Sequence, residues 1–148
     1  PHYTVDFREE FREKVVNNFT AEYLRGRTPN PCIRCNSDVR WSALLEYADE
    51  LGIEFIATGH YARIDRSQPA RPSIQKGLDP QKDQSYVLWR LNREALSRTL
   101  FPLGGLTKPE VRKIARKANL TTADIAESQE ICFVPNDNYR TFIAYDSE

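Results

Sequence analysis

Phe7, Phe11, Val15, Phe19 and Tyr23 recur at every fourth position of an otherwise polar stretch, which puts them on one face of a helix. The pattern predicts an amphipathic helix over residues 6–26, with Asp6 and Glu9 at capping-box spacing and Gly26 as its stop. Aromatic stripes of this kind are ordinarily core packing. Pro29 and Pro31 then forbid a helix across 28–30. The stretch 26–36, Gly-Arg-Thr-Pro-Asn-Pro-Cys-Ile-Arg-Cys-Asn, reads as an ordered turn carrying two cysteines. Asn36 is expected to cap a second helix over about 37–51, with Trp41, Leu44, Leu45, Ala48 and Leu51 on one side and Gly52 at its end.

The apolar run from Ile53 to Thr58 predicts a short, buried parallel strand. A helix feeding such a strand indicates an α/β unit. Ligands of open α/β sheets collect beyond the carboxyl ends of the strands, where Gly59, His60 and Tyr61 fall. Residues 62–81 are polar and broken by Pro69, Pro72 and Pro80, and read as a boundary. Beyond it the spacing predicts a helix over 83–97. A second helix is opened by a capping box at Thr107 and Glu110, with Val111, Ile114, Ala115 and Ala118 as its apolar stripe. A short strand over 131–134 and a closing helix over 139–145 complete the pattern.

Composition narrows the classes. Lys plus Arg and Asp plus Glu each number 21 in 148 residues, for a net charge of zero. That excludes a globally basic nucleic-acid binder but leaves room for a local basic face. Five of the ten residues from Lys108 to Lys117 are basic and one is acidic; a solvated face is the ordinary explanation and a phosphate-contacting face the sharper one. Hydrophobic residues at 40% exclude wholesale disorder. Three cysteines cannot all pair within one chain, which argues against a disulfide-stapled scaffold. Mean hydropathy is −0.62 and no apolar run approaches the ~20 residues of a membrane span. A soluble chain in a reducing, cytoplasmic compartment with no membrane partner is expected. With Pro1 first and no Met anywhere, a segment of something longer is also expected.

The residues that could carry chemistry are few. Cys32 and Cys35, two apart between Ile33 and Arg34, could chelate a metal, share a disulfide or simply be buried. Arg27, Arg34 and Arg40 nearby would favour thiolate. Cys132, between Ile131 and Phe133, reads by itself as a core cysteine. His60 is a lone histidine whose place at a strand end raises its interest. Lys82, Asp83, Gln84 and Ser85 could cap a helix or present a cation and hydrogen-bonding groups to nucleic acid.

Taken together, these strings resemble a known family. Arg27-Thr28-Pro29-Asn30-Pro31-Cys32-Ile33-Arg34-Cys35-Asn36 is similar to the cysteine loop of the tRNA-specific 2-thiouridylases. Thr58-Gly59-His60-Tyr61-Ala62, Lys82-Asp83-Gln84-Ser85-Tyr86, Phe101-Pro102-Leu103-Gly104, Lys108, Glu110-Val111-Arg112 and Ile131-Cys132-Phe133 continue the match in order and spacing. The resemblance implies an ATP-dependent enzyme that places sulfur at carbon 2 of the wobble uridine of tRNA. It implies an α/β fold: residues 1–66 as the end of a Rossmann-like ATP-pyrophosphatase domain, 67–81 as linker, and 82–148 as part of a mainly helical tRNA-binding domain. The family's Ser-Gly-Gly-Val-Asp-Ser ATP loop and its C-terminal barrel are not in this chain.

Residue by residue, the resemblance makes Cys35 the nucleophile and Cys132 the carrier of a persulfide. It places Gly59 against ATP, used with Mg2+. Asn30, Pro31 and Cys32 would meet the target base, and His60, Lys82, Asp83 and Gln84 would contact tRNA. It further implies a sulfur-donor protein, a cysteine desulfurase or sulfur relay, as partner. Many members carry Asp where this chain has Cys32. The third cysteine raises the alternative that Cys32, Cys35 and Cys132 hold a four-iron cluster with one iron open to sulfide. Ser128-Gln129-Glu130 departs from the Ser-Thr-Gly of many relatives. A tRNA-docking module without catalysis of its own is the other alternative.

Overall fold

The computed structural model describes residues 2–125 and 131–146. Helix α1 runs without interruption through Arg8–Phe11, a wider π-helical turn Arg12–Val16, and Asn17–Leu24. The capping box expected at its start does not form. Asp6 instead takes the Arg8 backbone N–H at 3.1 Å and chelates the Arg8 guanidinium, so its carboxylate closes a local turn. Gly26 does end the helix. Its φ of +74° lets the Arg27 N–H reach the Glu22 carbonyl and its own N–H the Tyr23 carbonyl, both at 2.9 Å, a Schellman closure. Gly52 closes the next helix in the same way, through Ile53 to Ala48 and Gly52 to Asp49.

Helix α2 begins six residues earlier than the sequence suggests. Pro31–Arg34 passes through a π-helical Cys35–Trp41 into Ser42–Glu50. Asn30, not Asn36, is the cap: its side-chain oxygen accepts the Cys32 N–H at 3.1 Å, and Pro31 stands at the first helical position, where a missing N–H costs nothing. Cys32 and Cys35 therefore occupy the opening turns of a helix, and Asn36 lies inside it, buried.

The strand expected at 53–58 contracts to β1, Ile56–Ala57, but it is parallel, paired to β4, Thr99–Leu100, in the register Ile56 to Thr99 and Ala57 to Leu100. The polar, proline-punctuated stretch holds a hairpin: β2, Ala62–Asp65, pairs antiparallel with β3, Ser73–Lys76. The segment expected as linker thus carries a strand, with Pro72 just ahead of it, where a missing N–H is tolerated. Ile64 opposes Ile74, and both pack on the core. The helix expected over 83–97 is broken. A 3-10 turn, Ser85–Val87, is followed by α3, Arg93–Ser97. Asp83 accepts the Gly77 N–H at 2.8 Å and both the N–H and hydroxyl of Ser85, while Asn92 caps a fresh helix through the Ala95 N–H at 2.8 Å. Side-chain bonds to backbone outcompete the helical ladder here.

Helix α4, Lys108–Lys117, opens on the predicted capping box, the Thr107 N–H reaching Glu110 at 2.7 Å. Its apolar stripe is largely uncovered: Ile114 is exposed and no residue of the helix is buried. Residues 131–134 form a turn, closed by Val134 N–H to the Ile131 carbonyl at 3.0 Å, and not a strand. Helix α5, Tyr139–Asp146, is as predicted. Ser128-Gln129-Glu130, the departure from the family pattern, lies outside the described residues.

Two packings hold these elements. Trp41, Ile56, Ala62, Leu88, Leu91 and Leu96 form the central core between α2, the strands and α3. An aromatic cluster ties α1 to the C-terminal segment: Phe133 stands edge-on to Phe11 at 5.5 Å, Phe19 at 5.2 Å and Phe142 at 5.5 Å, and Tyr23 stacks on Tyr139 at 4.9 Å. The aromatic stripe of α1 is core, as its periodicity says. Asp146 adds a polar tie, accepting from Thr20 at 2.6 Å and Arg12 at 3.0 Å.

Phe19→Ala should cost about 3–5 kcal/mol, read by denaturant unfolding. Gly104 allows a second check. A Cβ there would overlap the Ala62 carbonyl oxygen, whereas Gly105 faces open space. Gly104→Ala should destabilise by at least ~1–3 kcal/mol and Gly105→Ala by under about 0.5 kcal/mol.

Candidate functional site

A cleft of about 320 Å³ opens between the start of α2, the strand end at His60, the 3-10 turn and the 131–133 turn. Pro31, Cys32, Cys35, His60, Gln84 and Cys132 all line it. Cys35 and Cys132 are 97 positions apart in sequence and line one cleft, with Phe133 beside Cys132 held in the aromatic cluster. All three cysteines are free thiols; Cys32 and Cys132 are exposed and Cys35 is half-buried.

Each remaining lining group has a definite support. Gln84 is held through both its backbone and its side chain: its N–H donates to the Tyr61 carbonyl at 2.9 Å and its side-chain oxygen accepts the Tyr61 N–H at 3.0 Å. His60 is buried against Trp41, ring centres 5.4 Å apart, and Phe101, with Nδ1 2.9 Å from the Thr58 hydroxyl. Burial, aided by the nearby Arg40 guanidinium, pushes its pKa down to about 4. At neutral pH it is an uncharged hydrogen-bonding ring. Burial also raises the Cys32 and Cys35 thiols, and thiolate-thiolate repulsion among the cysteines adds to this, while Arg40 pulls both downward. The cleft therefore stores protonated thiols beside one cation that favours their ionisation.

Four of the expected contact residues lie outside the lining. Asn30 is spent on its cap. Gly59 is exposed just after β1, and a Cβ there would meet only the Leu103 side chain, at 3.7 Å. Lys82 is half-buried. For Asp83, burial works to raise the pKa, but the bonds from Gly77 and Ser85 hold it below the usual carboxylate range; its role in this structure is to fix the turn that presents Gln84. Asn36 and Arg40 also line the cleft, four apart on α2, with Arg40 donating to Asn36 at 3.4 Å. Asn36 escapes sequence reasoning as a lining residue because a helix starting at 37 leaves it outside; with Asn30 as cap, both follow Cys35 onto the same side.

Among the described residues, no three His, Cys, Asp or Glu side chains are grouped to hold a metal ion, although the three thiols share one opening. Among the described residues no helix is long and apolar enough to cross a membrane.

Residues 1–136 match the family model described as the tRNA methyl transferase HUP domain. The chain belongs to that family. The match supplies the Rossmann-like α/β class to which the parallel β1–β4 pair belongs. Curated relatives named tRNA-specific 2-thiouridylase MnmA are 53% identical over 143 residues in Geobacter metallireducens, 52% over 144 in Cytophaga hutchinsonii, and, as MnmA 1, 54% over 144 in Caldanaerobacter subterraneus. Each alignment covers 97% of this chain and 39–40% of the relative. The chain thus spans about two fifths of the length of these family members.

Arg40→Ala should move the midpoint of iodoacetamide alkylation at Cys35 to higher pH, read by mass spectrometry across a pH series. His60 gives a stability signature. Its folded pKa of about 4 lies below the ordinary value of 6.5, so the unfolded chain binds more protons between these values, and stability falls as pH drops through that window. His60→Gln should flatten the upper part of this fall in unfolding midpoints, leaving the acid-side loss due to carboxylates such as Asp83 and Glu110.

Proposed function

We propose that the protein carrying this chain transfers sulfur to carbon 2 of the wobble uridine of tRNA, with Cys35 and Cys132 as the working pair. The observation that supports this most is the shared cleft: two thiols from distant segments face one opening, beside the Asn30–Pro31–Cys32 helix start and the neutral His60. A uracil carbonyl oxygen is a poor leaving group, and ATP, used with Mg2+, would supply its activation as an adenylate. Of the residues matched to ATP the chain holds Gly59, whose open backbone sits at the carboxyl end of β1, where α/β folds take their ligands.

The thiol chemistry then balances as follows. A sulfur-donor protein, a cysteine desulfurase or sulfur relay, leaves Cys132 as a persulfide. The Cys35 thiolate attacks the inner sulfur, the Cys35–Cys132 disulfide forms, and hydrosulfide leaves. Hydrosulfide adds to carbon 2 and AMP departs with the former oxygen. An external thiol returns the disulfide to two thiols. Arg40 lowers the cost of ionising Cys35, and both cysteines are already free in the resting state. Cys32, exposed on the same rim, would contact the incoming base.

We further propose that residues 82–148 begin a tRNA-binding unit and 1–66 end an ATP-binding one, joined through 67–81. The exposed Lys113 and Lys117 on α4 suit phosphate contact. The family's description speaks of methyl transfer, but a cleft that gathers three cysteines favours the sulfur chemistry named for the relatives.

The test is a graft in which this chain replaces the matching segment of the Geobacter metallireducens relative, assayed for 2-thiouridine by nucleoside mass spectrometry. The graft should thiolate tRNA, while its Cys35→Ser and Cys132→Ser versions should lose at least about 100-fold in product with tRNA affinity within about twofold. If tRNA affinity collapses with the thiols, the chain is a docking module instead. Lys113→Glu with Lys117→Glu should weaken binding and reduce the salt slope by about one for each phosphate that α4 no longer neutralises.

A further inference from the structure

Tyr86 and Trp89 are 61% and 67% exposed, while Val87, Leu88 and Leu91 on the same short segment are buried in the core. These two rings are not on a loose loop. The buried residues anchor the segment from beneath. Successive 3-10-type bonds, Leu88 N–H to Ser85 at 3.1 Å and Leu91 N–H to Leu88 at 3.0 Å, fix its backbone. Tyr86 lies within the 3-10 turn, which ends at Val87, and Trp89 lies in the turn that follows it.

Tyr86 also lines the thiol cleft. Arg40 lines the same cleft, and Arg90 follows Trp89 in sequence and pairs with Asp38 at 3.4 Å. Exposed rings at a cleft that also holds a guanidinium suit single-stranded nucleic acid, where bases stack on rings and cations follow the phosphates. The cleft creates the need for such stacking. A uracil that enters it leaves its neighbours unstacked, at a cost in stacking energy. Each ring that accepts a neighbouring base offsets part of that cost.

We propose that Tyr86 and Trp89 are positioning residues that stack on the nucleotides flanking the target base and so hold the strand open over the thiols. This rests on the tRNA-thiolation reading and adds the surface that the substrate strand lies on. Protein partners also favour exposed Trp and Tyr. The continuity of Tyr86 with the base-admitting cleft favours RNA.

Trp41, the other tryptophan, is buried and also emits, so Trp89 emission is read as the difference between this chain and Trp89→Phe. A seven-nucleotide oligoribonucleotide with a central uridine should quench the Trp89 emission of this chain, and an abasic oligonucleotide of equal length should not. Trp89→Ala should weaken binding of the oligoribonucleotide about tenfold, and Trp89→Phe should restore most of it, with circular dichroism unchanged in both. In the graft, Trp89→Ala should raise KM for tRNA about tenfold with kcat within about twofold. Equal quenching by the abasic strand, no quenching by either, or unchanged affinity in Trp89→Ala overturns the proposal. So does a Trp89→Ala graft that binds RNA normally but no longer receives sulfur from a cysteine desulfurase, which would assign the rings to a protein contact. Failure of the unaltered graft to thiolate, with base-dependent quenching intact, overturns the reaction assigned above and supports the stacking surface by itself.

Discussion

The indole of Trp41 is the constraint on which the site depends. It is almost wholly buried, and its N–H donates at 2.7 Å to the Thr99 hydroxyl, which in turn donates at 2.6 Å to the Ala95 carbonyl. Thr99 is itself fully buried. A polar indole N–H can be placed so deep only because the hydroxyl relays its bond onward to a helix carbonyl. One chain of two hydrogen bonds thus pins α2, which carries Cys32 and Cys35, to β4 and α3. The same ring forms the wall against which His60 is buried. Position of the thiols and charge state of the histidine follow from one side chain.

Cys132 is placed by different means. No strand carries it. Its neighbour Phe133 sits among Phe11, Phe19 and Phe142, so a purely apolar attachment sets the location of a reactive thiol. Hydrogen-bonded and apolar supports meet across the cleft: one fixes the helix, the other a turn. Turns seated on rings can shift by small amounts without breaking a ladder of backbone bonds, which would suit the sulfur relay proposed for Cys132.

Much of this was legible in the residues. The four-residue spacing from Phe7 to Tyr23 gave helix and buried face correctly, because one period satisfies both. Thr107 with Glu110 marked a helix start, and Ile53–Thr58 held a parallel strand, but only Ile56–Ala57 pairs and Ile53 and Phe55 are exposed, not buried. The failures share a cause. Asn30, Asp83 and Asn92 each spend a side chain on the backbone, and local apolar periodicity is silent about such bonds. Asn30 moved a helix start by six residues; Asp83 and Asn92 broke a predicted helix in two. The hairpin was hidden because its strands are short, half-exposed and flanked by prolines. Within the site, the cysteines and His60 could be named from sequence, but Asn36, the exposure of Tyr86 and the burial that neutralises His60 depend on how distant segments pack.

The π-helical stretch from Cys35 to Trp41 has a geometric consequence. Its bonds skip one residue more than those of an α-helix, so each step turns the side chains through a smaller angle than the α-helical step. Cys35 at its start must face the cleft and Trp41 at its end must face the core. The wider coil acts as a phase adjuster between these two demands. A chain one residue shorter across this stretch could regain ordinary helical bonding and still fold as a helix, yet it would turn Cys35 away from the opening while keeping its anchor, or the reverse.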